Sequence, residues 1–358
     1  MGLPRCVKKL FCVQPLIDSR WTGFLQRHGN SSVFHTVPWL KALTDTYGYE
    51  PLAFTTSPAG EPLRNAAVFC RIESFLTGRR LVSLPFSDHC DLLIDDPADY
   101  TTLVSTLRQE LQQHKLRYVE LRPAHAAGPA DLGIHSTTNC WLHHIDLDPD
   151  LDTLYGNFHK DSIQRKIRRA EREALRYEEG RTAALLDTFY ALMISTRRRH
   201  GIPPQPKRWF QSLVQHLGED LKIRVVYQTN SPVAAILTLR YKDMMVYKYG
   251  ASDSNLHPLG GMPLLMWKAI QDAKRAGLRI LDLGRTDLED TGLITFKERF
   301  GAKGTMLTYF RLLPSQHAKG TYTSRQAGWT GSLTKRVFQY LPDWAFRSAG
   351  SLLYRHIG

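Results

Sequence analysis

The chain lacks any apolar run that approaches the ~20 residues needed to span a bilayer, so no membrane-spanning helix is expected. Its few cysteines are odd in number, scattered and without the spacing of metal ligands, which is typical of a protein from a reducing cytosol. The first sixteen residues combine basic residues with little apolar sequence, and we therefore expect no secretory signal. The five cysteines are Cys6, Cys12, Cys70, Cys90 and Cys140. These absences exclude a membrane-spanning, a fibrous and a disulfide-stapled protein.

Positive charge is what the chain has in excess. Its 358 residues include 47 Lys and Arg against 34 Asp and Glu, a formal net charge of +13. A hydrophobic content of 42% is enough for ordinary cores, and the length allows about two domains. We predict domains at residues 1–148 and 149–315, followed by a basic amphipathic tail at 316–358. The tail either lies on an anionic membrane surface or packs onto the body of the protein.

Helix and strand patterns follow one another in a similar order in both halves of the chain. Residues 116–122 (LRYVELR) are echoed by residues 278–285 (LRILDLGR), and each segment follows a predicted amphipathic helix. Two interpretations stay open: a duplicated α/β domain, or chance similarity between two common helix-then-strand units.

A strongly charged helix is predicted at residues 162–179, where the second half begins. Its apolar positions recur at helical spacing, and its arginines repeat at the same spacing on the opposite face. The apolar positions are Ile163, Ile167, Ala170 and Ala174; the arginines are Arg165, Arg169, Arg172 and Arg176. Such a face either binds a polyanion, with Lys160, Arg165 and Arg168 as the first candidates, or is solvated and held by pairs such as Arg169–Glu173.

Several segments together resemble the FemAB / BioF-like branch of the GNAT acyltransferase superfamily. In the second half these are VYKYGAS at 246–252, the helix at 264–276, ILDLGR at 280–285 and TFKERFGA at 295–302. In the first half, FHTVPWL at 34–40 and GRRLVSLPF at 78–86 are similar to members encoded with exopolysaccharide and exosortase systems. The resemblance covers about residues 30–312. It implies an α/β (α+β) fold with tandem GNAT-like domains, each a mixed, mostly antiparallel sheet flanked by helices.

The resemblance implies an enzyme that transfers an N-acyl or aminoacyl group to an amine of a cell-envelope or polysaccharide intermediate. We class it with acyltransferases that transfer groups other than aminoacyl groups. Two alternatives are a CoA-dependent N-acetyltransferase of a sugar or small amine, and a non-catalytic scaffold that binds nucleic acid or an anionic membrane.

We expect phosphate-rich partners: acyl-CoA or aminoacyl-tRNA as donor, or a nucleotide- or lipid-linked sugar. No permanently bound cofactor and no metal are expected. The expected location is the cytoplasm, with peripheral contact to the inner membrane as an open alternative.

Residues near position 297 are the sharpest candidates for catalysis. The resemblance implies that Lys297 stabilises developing negative charge, with Phe296 beside it and Arg299 as a second cation. The alternative is an amphipathic turn in which Phe296 and Phe300 pack and both cations stay solvated. The remaining candidates are Asp282 and Tyr249 for catalysis and Arg285 for substrate binding. The alternative for Asp282 is a structural salt bridge with Arg285. The alternative for Tyr249 is simple packing.

Gly260 and Gly261 precede a predicted helix at the place where CoA-dependent relatives bind pyrophosphate. Backbone N–H groups at a helix start and the helix dipole both favour an anion. We therefore name this glycine pair as the donor-binding turn, although the usual Arg or Gln before it is absent and Met262 fills the last small position. The alternative is a tight turn that only begins the helix.

Overall fold

The computed structural model describes residues 9–125, 133–314 and 332–357. The first eight residues, residues 126–132, residues 315–331 and residue 358 lie outside this range, and with them the first part of the tail predicted at 316–358. The described residues divide into two compact units. One contains residues up to 139 with 307–314 and 354–357, and the other contains 140–306 and 332–353. The predicted domain limits at 148 and 315 stay predictions.

Five strands and three helices make up most of the first unit. They are β1 Phe11–Val13, α1 Arg20–Arg27, α2 Val37–Tyr47, β2 Glu50–Thr55, β3 Ala67–Ile72, β4 Arg80–Val82, α3 Pro97–Gln113 and β5 Val119–Leu121. As predicted, α2 begins after Thr36 with Pro38 in its first turn, and it ends at Gly48, whose φ of 72° only glycine adopts easily. Residues of α3, β2, β3, β4 and β5 share one buried core.

Strands of the first unit pair antiparallel from β1 through β4. The next pair is parallel, with Leu81 opposite Val119 and Val82 opposite Glu120. A parallel connection needs a crossover, and α3 supplies it. This unit is therefore a mixed, mostly antiparallel sheet flanked by helices.

Longer elements make up the second unit. After β6 His135–Asp146 they are α4 Leu151–Gly156, α5 Arg165–Arg172, β7 Arg176–Gly180, α6 Ala183–His200, α7 Lys207–Leu217, β8 Leu221–Gln228, β9 Ser231–Tyr241, β10 Met244–Ser252, α8 Gly261–Arg275, β11 Ile280–Asp287, α9 Thr291–Glu298, β12 Lys303–Leu312, α10 Ser332–Tyr340 and α11 Asp343–Ile357. The division between the units falls inside β6 and β12, and the last residues of α11 group with the first unit.

The sheet of the second unit has the same order of pairings. Strands β7, β8, β9 and β10 are antiparallel neighbours, β10 pairs with β11 in parallel, and β11 pairs antiparallel with β6. Buried residues of α5 and α8 pack together with residues of β6, β8, β9 and β11 in one core. The predicted α/β class, with mixed strand pairing and flanking helices in each unit, is confirmed.

The predicted long helix at 162–179 is wrong in its second half. Ile163, Ile167 and Ala170 are buried as the spacing predicted. Helix α5 ends at Arg172, because Ala174 adopts a left-handed φ of 48° and the chain turns. Residues Arg176–Gly180 then pair with β8, so the fourth arginine of the predicted face belongs to a strand.

The internal sequence echo corresponds to equivalent strands. The segment at 116–122 contains β5 and the segment at 278–285 contains most of β11, and each of these strands is the parallel partner that follows a crossover helix. Glu120 faces Val82 in one ladder and Asp282 faces Val246 in the other. The two carboxylates therefore occupy the same place in two similar units, which supports a duplicated domain.

Within the described residues, no helix has both the length and the apolar character needed to cross a membrane.

Glu120 is the buried ion-pair centre of the first unit. Its carboxylate accepts from Arg122 Nε at 2.9 Å and from Arg311 Nε at 2.8 Å. Burial alone would raise the pKa of Glu120, but the two guanidinium groups outweigh it and hold the pKa below its ordinary value. The ion pairs therefore contribute stability above about pH 4.5, and that contribution is lost as the pH falls through the lowered pKa.

We predict that Glu120→Gln lowers the free energy of unfolding by about 3–5 kcal/mol at pH 7, because two partly buried guanidinium groups lose their buried counter-charge. Urea unfolding at pH 7 and at pH 3 measures this, and the difference from wild type should shrink at the lower pH. Glu50→Gln is the matched control, since Glu50 pairs with Arg71 while about half exposed and should change stability by less than about 1 kcal/mol. Equal effects of both substitutions would contradict the assignment.

Candidate functional site

Two parallel strands separate in the second unit. The ladder between β10 and β11 pairs Met244 with Ile280 and continues to Val246 opposite Asp282. Both strands run on beyond these pairs, to Ser252 and Asp287. A crevice at the carboxyl ends of parallel strands is where α/β proteins place ligands. The polar groups near Asp282 therefore lie at the edge of the sheet where such proteins bind ligands.

A buried lysine and a buried aspartate hold a bulge in β11 from both sides. Gly284 has a φ of 69°, and the register of β11 with β6 shifts between Asp282 and Arg285. Asp282 accepts from the Gly284 N–H at 2.7 Å, and Lys297 Nζ donates to the carbonyls of Gly284 at 2.7 Å and Arg285 at 3.2 Å. Lys297 is only 2% exposed. The turn in which both cations stay solvated is therefore not what forms.

Two adjacent histidines on β6 lie beside this bulge. His144 is the cross-strand partner of Asp282, and its Nε2 is 3.6 Å from Asp282 Oδ1. The His144 side chain is 31% exposed, whereas Asp282 is completely buried. His143 is buried, and neither of its ring nitrogens has a hydrogen-bond partner in the described part of the chain. Burial, with the nearby Lys297 ammonium as the second cause, lowers the pKa of His143 to about 4.

The tyrosines of β10 lie on different sides of the sheet. Strict alternation predicts that Tyr247 and Tyr249 share a face, but a bulge interrupts the β9–β10 register between them. Tyr247 packs against the core that contains α5 and α8. Tyr249 is buried near Phe210 of α7, and Trp209 Nε1 donates to its hydroxyl at 2.9 Å. The structure thus gives Tyr249 a packing position in a hydrogen-bonded aromatic cluster.

Residues flanking Lys297 form one wall of a pocket of about 260 Å³ in the second unit. Phe296 is half-buried, with its ring 5.2 Å from that of Phe300, and Arg299 is exposed. Both Phe296 and Arg299 line the pocket. Arg285 lies outside this lining, and its guanidinium is 3.7 Å from Asp287.

The predicted donor-binding turn lines the same pocket. Gly260 has a φ of 80°, and a Cβ added there would lie 2.2 Å from the backbone oxygen of Lys166. A Cβ on Gly261 would lie 2.7 Å from Val233 Cγ1. Both glycines are therefore required for α5 and β9 to approach the start of α8. The turn begins a helix, as one interpretation held, and it also borders a cavity.

Positive groups surround the start of α8 where it faces the pocket. Its first turn contains no acidic residue, and the first N–H groups of a helix have no partner within it. Lys166 and Arg299 contribute cationic side chains, and Ser162 and Ser252 contribute hydroxyls. The remaining lining residues are Ile163, Val233, Ala234, Leu256, His257, Gly261, Met262, Pro263, Gly292 and Phe296. Such a pocket can hold an anion next to an apolar group.

His257 is the titratable group of this pocket. It contacts the Ser252 hydroxyl, with 2.8 Å between Nε2 and Oγ. Burial first, and then the positive charges of Arg199 and Lys166, hold the pKa of His257 below its ordinary value. The imidazole is therefore neutral near pH 7, and the positive charge of the pocket comes from lysine and arginine.

The predicted cations at the start of α5 lie on an exposed surface. Lys160, Arg165 and Arg168 are all exposed, and Arg168 Nη2 donates to Gln164 Oε1 at 3.0 Å. None of the three lines the pocket. The predicted pair of Arg169 and Glu173 is present at 3.6 Å. Lys160, Arg165 and Arg168 therefore form a basic surface at the start of α5, the helix whose Lys166 borders the pocket.

Sequence reasoning missed His144, Lys166 and His257. The signal for Lys166 was present, because it follows Arg165 on a helix already identified as basic. His144 carried no such signal, since its partner Asp282 lies on a strand far away in sequence. In the described part of the chain, no group of three or more His, Cys, Asp and Glu side chains is arranged to hold a metal ion.

Comparisons with known proteins agree with this architecture. Residues 157–297 match the family described as Acetyltransferase (GNAT) domain. A UDP-N-acetylmuramoylpentapeptide-lysine N(6)-alanyltransferase from Weissella viridescens is 28% identical over 180 residues, 48% of this chain and 52% of that protein. The match therefore spans about half the length of this curated relative.

Solved structures show the same fold. The crystal structure of FemX superposes with a TM-score of 0.68 at 14% identity, covering 86% of this chain and 98% of that one. A tandem GNAT protein from the clavulanic acid biosynthesis pathway gives 0.54 at 10% identity, covering 85% and 98%.

Residues 157–297 thus match a GNAT domain, the curated relative supports the predicted FemAB-like branch of that superfamily, and the solved structures share the predicted fold. The comparisons also correct one expectation. We had classed the enzyme with those that transfer groups other than aminoacyl groups, but the curated relative is an alanyltransferase, so that class is wrong.

We predict that Gly260→Ala destabilises the second unit by at least about 2 kcal/mol, since a methyl group would overlap the Lys166 carbonyl. Gly277→Ala is the matched control, because Gly277 has a φ of 72° and an added Cβ would meet nothing within 4 Å. It therefore carries the backbone strain alone, about 1–2 kcal/mol. Thermal unfolding of both variants measures the difference, and equal losses would mean that the close approach at Gly260 is unimportant.

Proposed function

We propose that this FemAB-like GNAT chain is an aminoacyltransferase that attaches an amino acid to an amine of a cell-envelope precursor. The observation that carries the proposal is the cationic pocket at the start of α8, which is bordered by Phe296 and Arg299 and, apart from Arg299, lies inside the GNAT-matching segment. The naming of the curated relative as an alanyltransferase supports aminoacyl transfer.

The charge around the pocket favours an RNA-linked donor over acyl-CoA. Five of the eight residues of α5 are basic: Arg165, Lys166, Arg168, Arg169 and Arg172. Successive phosphates of a tRNA end suit an extended basic surface of this kind. The proposed donor is a substrate, released after each turnover.

The proposed reaction is aminolysis of an ester. The acceptor amine forms a bond to the carbonyl carbon of the aminoacyl ester, the ester C–O bond breaks, and the proton lost by the amine is passed to the released ribose hydroxyl. His144 is the proposed proton carrier, because it is partly exposed and faces the buried Asp282 carboxylate at 3.6 Å. Lys297 holds the bulge between them and provides positive charge at the crevice.

The acceptor class and the location follow from the same proposal. A nucleotide- or lipid-linked precursor of the cell envelope carries phosphate and is made inside the cell. We therefore propose a cytoplasmic enzyme that works at or near the inner membrane.

The donor is tested with aminoacyl-tRNA and acetyl-CoA, each radiolabelled in the acyl group, and a UDP-linked muramoyl pentapeptide as acceptor. We predict transfer from alanyl-tRNA, and a loss of at least about tenfold in kcat/KM for Lys166→Glu as its phosphate contact is reversed. Arg275→Glu is the control, an exposed cation at the far end of α8. Transfer from acetyl-CoA alone would overturn the proposal.

We predict that His144→Gln lowers kcat by about 10²–10⁴-fold while donor binding is retained, because a general base is removed without changing the pocket. The rate of the variant should also lose its dependence on imidazole deprotonation. A pH–rate profile measures this, with the exposed His114→Gln as control. An unchanged profile would remove His144 from the mechanism.

A further inference from the structure

The two C-terminal helices expose apolar side chains around the corner where they meet. Helix α10 ends at Tyr340, and α11 begins at Asp343. Tyr340 is 86% exposed and Trp344 is 74% exposed, on either side of this corner. Val337, one turn before Tyr340, is 59% exposed. Large apolar groups left in water at adjacent positions mark an interaction surface.

The opposite sides of these helices are already occupied by the second unit. Arg198 Nη1 donates to the carbonyls of Gln339 at 3.2 Å and Leu341 at 2.6 Å, and Nη2 donates to Asp343 Oδ1 at 2.5 Å. Phe346 is completely buried. These bonds fix the orientation of the corner. Its exposed aromatic side chains therefore point away from the core of the second unit.

The exposed surface is also positively charged. Residues 332–353 contain Lys335, Arg336 and Arg347 and a single acidic residue, Asp343, whose carboxylate is bound by Arg198. Arg336 stands four residues before Tyr340 and Arg347 three residues after Trp344, so each exposed ring shares its helix face with an arginine. Both arginines are exposed.

We infer that this corner docks on the surface of an anionic phospholipid bilayer, with Tyr340 and Trp344 at the level of the headgroups. Tyrosine and tryptophan favour that depth because one part of the ring is apolar and another forms hydrogen bonds. The flanking arginines supply attraction to anionic lipid.

A second copy of the chain is the less suitable occupant. A symmetric interface brings the same surface of each copy together, and it would place Arg336 and Arg347 near their own equivalents. Like charges would then oppose association. An anionic bilayer pairs the same groups with opposite charge.

The inference goes beyond the proposed function and does not depend on it, because docking needs no turnover. It is tested on the full chain by sedimentation with phosphatidylglycerol–phosphatidylcholine vesicles and with phosphatidylcholine vesicles. We expect binding to the anionic vesicles that falls about tenfold or more in Tyr340→Ser/Trp344→Ser, since both interfacial rings are removed. Arg336→Glu/Arg347→Glu should also lose the dependence on anionic lipid.

The matched control is Ile17→Ser/Leu76→Ser, which removes two exposed apolar side chains from the first unit; they are 78% and 56% exposed. This variant should bind vesicles like the wild type, and circular dichroism verifies the fold of all variants. Transfer to a soluble acceptor should be unchanged in the corner variants. The experiment therefore distinguishes failure of the docking inference from failure of the proposed transferase function. Vesicle binding that survives loss of both rings, binding equally strong to neutral vesicles, or a dimer abolished by the same substitutions would overturn the inference.

Discussion

The candidate site depends on the burial of one ammonium group. Lys297 is removed from water and compensated by the carbonyls of Gly284 and Arg285. A buried charge is costly unless such partners surround it, and this requirement ties α9 to the bulge of β11. The same tie sets the positions of Phe296 and Arg299 at the wall of the pocket. The charge of Lys297 also contributes to keeping His143 neutral.

The duplicated architecture shows how one fold position serves two purposes. Glu120 and Asp282 follow the same pattern of helix, parallel strand and buried carboxylate. In the first unit two arginines neutralise the carboxylate, which makes it a structural ion pair. In the second unit the neighbouring group is His144, which is partly exposed and is the proton carrier proposed above. The chemistry of the position is decided by its neighbours on adjacent strands.

The basic residues of the chain have several separate structural roles. Part of the positive charge surrounds the start of α8, where Lys166 and Arg299 face the pocket. Arg198 serves as a structural anchor for the C-terminal helices. The arginines that end α6, Arg197, Arg198 and Arg199, suit the helix dipole, and both Arg198 and Arg199 also make tertiary hydrogen bonds. The net charge is thus typical of a protein with an anionic partner, but it does not identify the lysines and arginines that would bind that partner.

The sequence by itself determined the family resemblance, most of the order of the elements and the glycine pair before α8. These follow from local rules, because spacing shows which side of a helix or strand is apolar, and because only glycine tolerates the turn at Gly260. Tertiary structure decided the rest. The bulge that separates Tyr247 from Tyr249 and the pairing of His144 with Asp282 depend on which strands become neighbours. Periodicity gives the face of a side chain, but the residue opposite it comes from a distant part of the chain.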